Sequence, residues 1–98
     1  MPVYTYSPEK NFKLILERKI SFEEMIVAIE NNQVLDIVDH PNQKKYKDQK
    51  IYVVYANEYV YLVPFVKDNK GDIFLKTIIP SRKAKQQYVH LGEQNEKK

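Results

Sequence analysis

Residues 51–66 read IYVVYANEYVYLVPFV, and this stretch decides the fold. Residues 51–56 and 59–66 are rich in β-branched and aromatic side chains, which is the composition of β-strands. Asn57 and Glu58 between them can form a two-residue hairpin turn, although neither is a glycine. The stretch therefore predicts two antiparallel strands joined by a tight turn.

The second of these strands is apolar on both faces. Tyr61 and Phe65 lie on one face and Leu62 on the other, so both faces need a cover, either from the chain itself or from a partner protein. Pro64 has no N–H to donate to a neighbouring strand. We therefore expect the strand to be bulged, or exposed on one side, near Pro64.

Two further strands flank this hairpin. VLDIV (34–38) predicts a strand before it, connected through the polar segment 39–50, and IFLKTII (73–79) predicts a strand after it. In the turn KDNKGD (67–72), Gly71 is available for a positive φ. Four strands in consecutive order imply an antiparallel sheet. The opening segment PVYTY (2–6) can be extended.

Two helices are predicted before the sheet. Ser7 and Pro8 form a helix start, and an apolar stripe of Phe12, Ile15 and Leu16 predicts an amphipathic, half-exposed helix. Ser21 and Glu24 form a capping box that starts the second helix. Its apolar face is predicted to contain Phe22, Met25, Ile26 and Ile29.

A last helix is predicted after the sheet. Ser81 can cap a helix over residues 82–91 with Ala84, Tyr88 and Leu91 on its inner side, and Gly92 can end it. The predicted fold is thus α+β, with two N-terminal helices, a four-stranded antiparallel sheet and a C-terminal helix. Residues 1–92 form a single domain, and residues 93–98 form a polar tail.

The composition excludes several classes of protein. The 98 residues include no cysteine and two histidines, so disulfides, thiolate metal sites and histidine-rich metal cages are excluded, and we expect no metal and no cofactor. No apolar run is long enough to span a bilayer and no signal peptide precedes the domain, which predicts a cytoplasmic protein without membrane contact. The net charge is +3, and basic residues concentrate in segments 44–50 and 82–85. This distribution suits an anionic partner.

The candidate functional residues are cationic and polar groups that can bind and cleave a phosphodiester. RNA cleavage needs cations for the charge of the pentavalent phosphate and groups that move protons. Arginine and lysine can supply the cations, and histidine, tyrosine and lysine can supply the groups that move protons. The candidates are Lys76, Arg82, Lys83, Lys85, His40, Tyr46 and Tyr88.

The basic candidates and both histidines also have a purely structural interpretation. Lys76 can belong to the solvent face of a strand, and Arg82 can be an ordinary surface residue of a helix. Lys83 and Lys85 can belong to a solvated face of a helix. His40 lies in a polar loop, where it can flank an Asx-type turn without any chemical role. His90 near the chain end can simply complement the helix dipole.

The sequence resembles the BrnT-like toxins of type II toxin–antitoxin systems, within the wider RelE/ParE-like group. The matching segments are Tyr6–Lys10 (YSPEK), Ile20–Glu24 (ISFEE) and Lys76–Ala84 (KTIIPSRKA), in the same order as in that family. The resemblance covers roughly residues 4–90. Lys76 stands where the family has a strand arginine, and Pro80 stands where the family tends to have a small residue.

The resemblance implies a metal-independent ribonuclease toxin that blocks translation, acting on RNA that is free or on the ribosome. It also implies neutralisation by a cognate antitoxin, typically a ribbon-helix-helix protein. In this interpretation Lys76, Arg82 and His40 are catalytic: Lys76 and Arg82 bind the phosphate, and His40 or a tyrosine moves the proton. Lys83, Lys85 and Tyr88 bind RNA. Two alternatives stay open: a non-catalytic interaction module of the same fold that is stable in complex with a partner protein, and a nucleic-acid binder that does not cleave.

Overall fold

The computed structural model describes residues 2–90, without the side chain of His90. The helices are α1 (Pro8–Arg18), α2 (Phe22–Glu30) and α3 (Arg82–Ala84), and α3 continues as a π-helical segment (Lys85–His90). The strands are β1 (Tyr4–Thr5), β2 (Val34–Asp39), β3 (Lys50–Ala56), β4 (Tyr59–Lys67), β5 (Ile73–Leu75) and β6 (Ile79–Pro80). The predicted α+β class is confirmed. The predicted positions of Leu91, Gly92 and the tail lie outside the described residues.

The sheet differs from the prediction in its strand number and pairing. Its order is β1-β5-β4-β3-β2, with β6 also paired to β4, so it has six strands instead of four. β1 pairs with β5 in parallel, and the remaining pairs are antiparallel. The prediction of an entirely antiparallel sheet is therefore wrong. The parallel pair forms because the opening segment adds a strand beside β5, and the carbonyl oxygen of Val3 accepts the N–H of Ile73 at 2.9 Å.

The strand predicted over residues 73–79 is divided into β5 and β6 opposite Pro64. Lys76 N–H donates to the Pro64 carbonyl oxygen at 2.8 Å, but Pro64 has no N–H to return the bond. Beyond this point the pairing shifts by one residue, since Leu75 lies opposite Phe65 and Ile79 lies opposite Leu62. The irregularity expected at Pro64 thus appears as a bulge in the neighbouring chain segment.

The hairpin predicted from residues 51–66 is present. β3 and β4 pair from Lys50 opposite Phe65 to Ala56 opposite Tyr59. Asn57 and Glu58 at the turn both have positive φ angles, of 53° and 61°, as a type I′ hairpin turn requires. The turn therefore forms without the glycine that usually accommodates such angles.

Both apolar faces of β4 are covered by the chain itself. Val63 and Phe65 pack in the main core with residues of α2 such as Phe22 and Met25. On the other face, Val60 packs with Ala84 of α3, and Tyr88 and Val89 of the π-helical segment lie against the same cluster. The sheet is thus the middle of three layers, between the N-terminal helices and the last helix.

The buried face of α1 is not the predicted apolar stripe. Phe12, Ile15 and Leu16 are 64%, 43% and 65% exposed, whereas Asn11 and Leu14 are 8% and 2% exposed. Asn11 is buried because its amide bonds to the start of α2, with Phe22 N–H donating to its Oδ1 at 2.7 Å. The cap at Ser7 is as predicted, since its hydroxyl oxygen accepts Lys10 N–H at 3.2 Å.

The start of α2 follows the predicted capping box. Ser21 Oγ accepts Glu24 N–H at 3.2 Å, and Glu24 Oε2 accepts Ser21 N–H at 2.9 Å. Phe22 and Met25 are fully buried, and Ile26 and Ile29 pack against the core as partly buried residues. The predicted inner face of α2 is therefore confirmed.

Candidate functional site

The basic segment 82–85 lies where β6 turns into the last helix. Ser81 N–H donates to the Val60 carbonyl oxygen at 2.9 Å, which fixes this junction against β4. Ser81 Oγ accepts Ala84 N–H at 3.1 Å, so the predicted cap is present. Arg82 and Lys83 directly follow the cap, and both side chains are exposed. The junction therefore presents two cations to solvent from a backbone fixed by hydrogen bonds.

Lys85 is half-buried and lies against an aromatic ring. Its Nζ is 5.1 Å from the centroid of the Tyr59 ring, within the range of a cation–π contact. This contact joins the last helix to the first residue of β4. Lys85 therefore contributes positive charge to the junction from a more fixed position than Lys83.

Lys76 lies on the same side of β4 as the junction, at the bulge that precedes β6. Its side chain is exposed, and its Nζ is 5.7 Å from the centroid of the Phe74 ring. Its backbone is level with Pro64, whereas the junction is level with Val60. Four strand residues correspond to about 13 Å. Lys76 and the junction that carries Arg82 thus lie along one edge of β4, with their backbones about 13 Å apart.

His40 lies far from the junction. It follows β2, where its N–H donates to the Gln49 carbonyl oxygen at 3.0 Å, and its ring centroid is 4.3 Å from that of Tyr46. Its Nδ1 accepts the N–H of Asn42 at 3.1 Å. From Gln49 to Tyr55, which pairs with Val60, the strand rises by about 20 Å. The fold therefore does not bring His40 to the same point as Arg82.

Tyr88 is held by a carboxylate that the sequence interpretation did not include. Its hydroxyl donates to Asp36 Oδ2 at 2.8 Å, which connects the π-helical segment to β2. This hydrogen bond, with smaller contributions from burial and the negative charge of Asp36, raises the pKa of Tyr88 above its ordinary value. Tyr88 is therefore a neutral phenol at physiological pH. The two residues are 52 positions apart, so no local pattern indicates their contact.

The last helix has an unusual geometry. Residues Lys85–His90 form a π-helical turn after the short α3. Such turns are rare and frequently occur at functional sites. Ala84 of α3 and Tyr88 of the π-helical turn both pack against the sheet, as predicted for the inner side of this helix.

Comparisons of the chain with protein family models, with curated proteins and with solved structures found no match. Within residues 2–90, no helix is both long and apolar enough to cross a membrane.

Proposed function

We propose that this chain is a ribonuclease toxin of a type II toxin–antitoxin system, which cleaves RNA, blocks translation and is neutralised by a cognate antitoxin of the ribbon-helix-helix type. The observation that carries the proposal is the exposed pair Arg82 and Lys83 at a hydrogen-bonded strand-to-helix junction. Between residues 73 and 90 the chain carries four lysines or arginines and no acidic residue. A surface of this kind attracts the phosphates of a nucleic acid.

The order of elements also supports the proposal. The three segments that resemble the toxin family contain Ser7, Ser21 and Ser81, and each of these serines caps a helix. The resemblance therefore concerns residues with a defined local role, in the order in which the family has them.

In the proposed reaction, the 2′-hydroxyl of one ribose attacks the adjacent phosphorus and the 5′-oxygen of the next nucleotide leaves. The products are a 2′,3′-cyclic phosphate and a free 5′-hydroxyl. Arg82 binds the non-bridging oxygens in bidentate fashion and stabilises the charge of the pentavalent phosphate, and Lys76, about 13 Å away along the same edge, binds another phosphate of the RNA. A metal ion is not required for this chemistry.

The proton transfers are assigned to groups near the junction. His40, about 20 Å away along β3, can contact an RNA several nucleotides from the bond that Arg82 binds, but not the same phosphodiester. Lys85 is nearer, since it belongs to the junction segment, and Lys83 widens the positive field. The hydroxyl of Tyr88 is held by Asp36 of β2, on the far side of β3 from β4, and is given no proton transfer. In this proposal His40 therefore serves RNA binding and not proton transfer at the scissile bond.

The test is incubation of the purified protein with a 5′-labelled RNA in the presence of EDTA. Cleavage to products that end in a 2′,3′-cyclic phosphate is expected, while a DNA of the same sequence should stay intact because it has no 2′-hydroxyl. Induction of the gene should also slow growth. Intact RNA together with normal growth would contradict the proposal, and RNA that is bound but not cut would favour the nucleic-acid binder.

The second candidate function, a non-catalytic interaction module, needs a different surface from the one first considered. β4 cannot be the partner site, since both of its faces are covered by the chain itself. Exposed apolar side chains lie instead on α1, where Phe12 and Leu16 are 64% and 65% exposed. This stripe is the observation that favours an interaction module.

A further inference from the structure

A groove lies between α2 and the end of β3, on a part of the surface that the ribonuclease proposal does not use. Its volume is about 520 Å³, within the range of about 300–1,000 Å³ typical of ligand sites. The apolar lining comes from Val27, Ala28, Tyr55 and Ala56, and two carboxylates, Glu23 and Glu24, lie at the start of α2. The groove thus combines an apolar surface with negative charge.

The two chain segments that supply the groove lining carry acidic residues and no basic residue. Residues 20–43 and 51–66, which supply the whole lining, contain no lysine and no arginine. They contain six acidic residues: Glu23, Glu24, Glu30, Asp36, Asp39 and Glu58. The basic segments at 44–50 and 82–85 lie outside them. The residues that line the groove therefore include two carboxylates and no cation, whereas Asp39 pairs with Lys50 at 3.6 Å and Asp36 accepts the hydroxyl of Tyr88.

The two carboxylates are fixed in place before any ligand arrives. Glu23 Oε1 accepts from Asn11 Nδ2 at 2.7 Å, and this bond is the main cause that lowers the pKa of Glu23, so the group is ionised at neutral pH. Glu24 Oε1 accepts from Asn57 Nδ2 at 3.1 Å. A partner cation would therefore meet carboxylates that lose little conformational freedom on binding.

The apolar part of the groove is exposed to solvent. Val27 is 56% exposed although it belongs to a helix whose neighbouring residues Met25 and Ala28 are buried. An occupant that covers Val27 with an apolar side chain would gain free energy from the area removed from water.

The backbone in the groove restricts the kind of occupant. β3 lies between β2 and β4 in the sheet, so it offers no open edge. Tyr55 N–H is already bonded to the Gln33 carbonyl oxygen at 2.9 Å. A β-strand of a partner would therefore have no free backbone N–H and C=O groups of β3 to pair with. Recognition must use side chains, as it does when a groove binds an amphipathic helix.

We propose that this groove binds a basic amphipathic helix of a partner protein. An apolar side chain of that helix packs on Val27, Ala28 and Tyr55, and a lysine or arginine one turn away pairs with Glu23 or Glu24. The proposal concerns a different face from the Arg82 junction and does not depend on ribonuclease activity.

The test uses a fluorescent 14-residue helical peptide made only of leucine and lysine, with the leucines on one face. We expect saturable binding to the full chain at about 0.15 M salt, and no binding of the matching peptide in which glutamate replaces lysine. Val27→Lys should weaken binding by about tenfold or more, because it places a cation among the carboxylates and covers the apolar lining.

The matched control is Val3→Lys, which changes a valine with the same exposed fraction as Val27, 56%, to the same cation outside the groove. It should leave the affinity for the peptide within about twofold of the wild type. Gln33→Lys changes an exposed residue of the groove lining that lies after α2, and it should also weaken binding of the peptide. Circular dichroism of each variant verifies that it is folded.

Several results would overturn the proposal. These are no saturable binding, equal binding of the glutamate peptide, or equal weakening by Val3→Lys and both groove variants. Hexylamine binding as tightly as the peptide would assign the groove to small amines. Self-association of the protein alone in sedimentation, abolished by Val27→Lys, would assign it to a second copy of this chain.

Discussion

The side-chain oxygen of Asn11 accepts the backbone N–H of Phe22 at 2.7 Å, and the same amide group donates to Glu23 Oε1 at 2.7 Å. Asn11 belongs to α1, whereas Phe22 and Glu23 are the first two residues of α2. The first N–H groups of a helix have no partner within the helix. Asn11 therefore supplies that partner from the preceding helix and fixes the corner between the two.

Asn11→Ala should lower the free energy of unfolding by about 1–3 kcal/mol, because the buried N–H of Phe22 would lose its acceptor. Urea unfolding followed by circular dichroism measures this change. The control is Asn69→Ala in the exposed turn between β4 and β5, which should stay within about 0.5 kcal/mol of the wild type. Equal effects of the two substitutions would show that the Asn11 bonds do not stabilise the corner.

The Glu23 carboxyl should make stability depend on pH in the acid range. Its pKa is lowered from 4.5, chiefly by the bond from Asn11, so the folded state binds its proton less readily than the unfolded chain. This contribution is present above pH 4.5 and is lost as the pH falls through the lowered pKa. Glu23→Gln should therefore flatten the acid limb of the stability profile measured by urea unfolding.

The matched background for this experiment is Asn11→Ala, in which the main cause of the shift is absent. There, Glu23→Gln should change the acid limb much less. The account would be contradicted by an equal change in both backgrounds.

Tyr88→Phe should loosen the attachment of the last helix to β2. Loss of the bond to Asp36 should cost about 0.5–1 kcal/mol, since the pair is exposed to solvent. The pKa of Tyr88 is raised from 10.0, so its contribution is present below pH 10 and is lost as the pH rises through the raised pKa. A double-mutant cycle with Asp36→Asn measures the coupling energy between the two side chains, and additive effects of the two substitutions would contradict this prediction. Tyr46→Phe is the control for removal of a tyrosine hydroxyl.

Glu58→Gly should stabilise the protein. Glu58 has a φ of 61°, a conformation that costs a non-glycine residue about 1–2 kcal/mol. Glycine removes this strain but gains freedom in the unfolded chain, so a net gain of about 0.5–1 kcal/mol is expected in thermal or urea unfolding. Glu17→Gly, in α1, should instead lower stability by a similar amount. Destabilisation by Glu58→Gly would show that the turn is not strained.

Local signals in the sequence predict most of the elements of this fold. The caps at Ser7, Ser21 and Ser81 act within three residues, and the hairpin at Asn57 forms between adjacent strands. The missed features depend on distant contacts. β1 pairs with β5 some 70 residues later, and Asn11 is buried because of its bonds to α2, which hydrophobic periodicity does not indicate.

The candidate site also combines features that have a local sequence signal with features that depend on distant contacts. The exposure of Arg82 follows from its place just after a cap, which is visible in the sequence. The distance of His40 from this junction depends on the register of β2 and β3, and the bond of Tyr88 to Asp36 depends on how the last helix crosses the sheet. Neither relationship has a local sequence signal.

The proposed ribonuclease activity is tested most directly by the rate at which the purified Arg82→Ala protein cleaves RNA under single-turnover conditions. The proposal predicts a loss of about 100-fold or more relative to the wild type, because the phosphate would lose its main cation in the transition state. Lys70→Ala, in the exposed turn between β4 and β5, should cleave at the wild-type rate. Equal rates for Arg82→Ala and the wild type, with both proteins folded, would contradict the account.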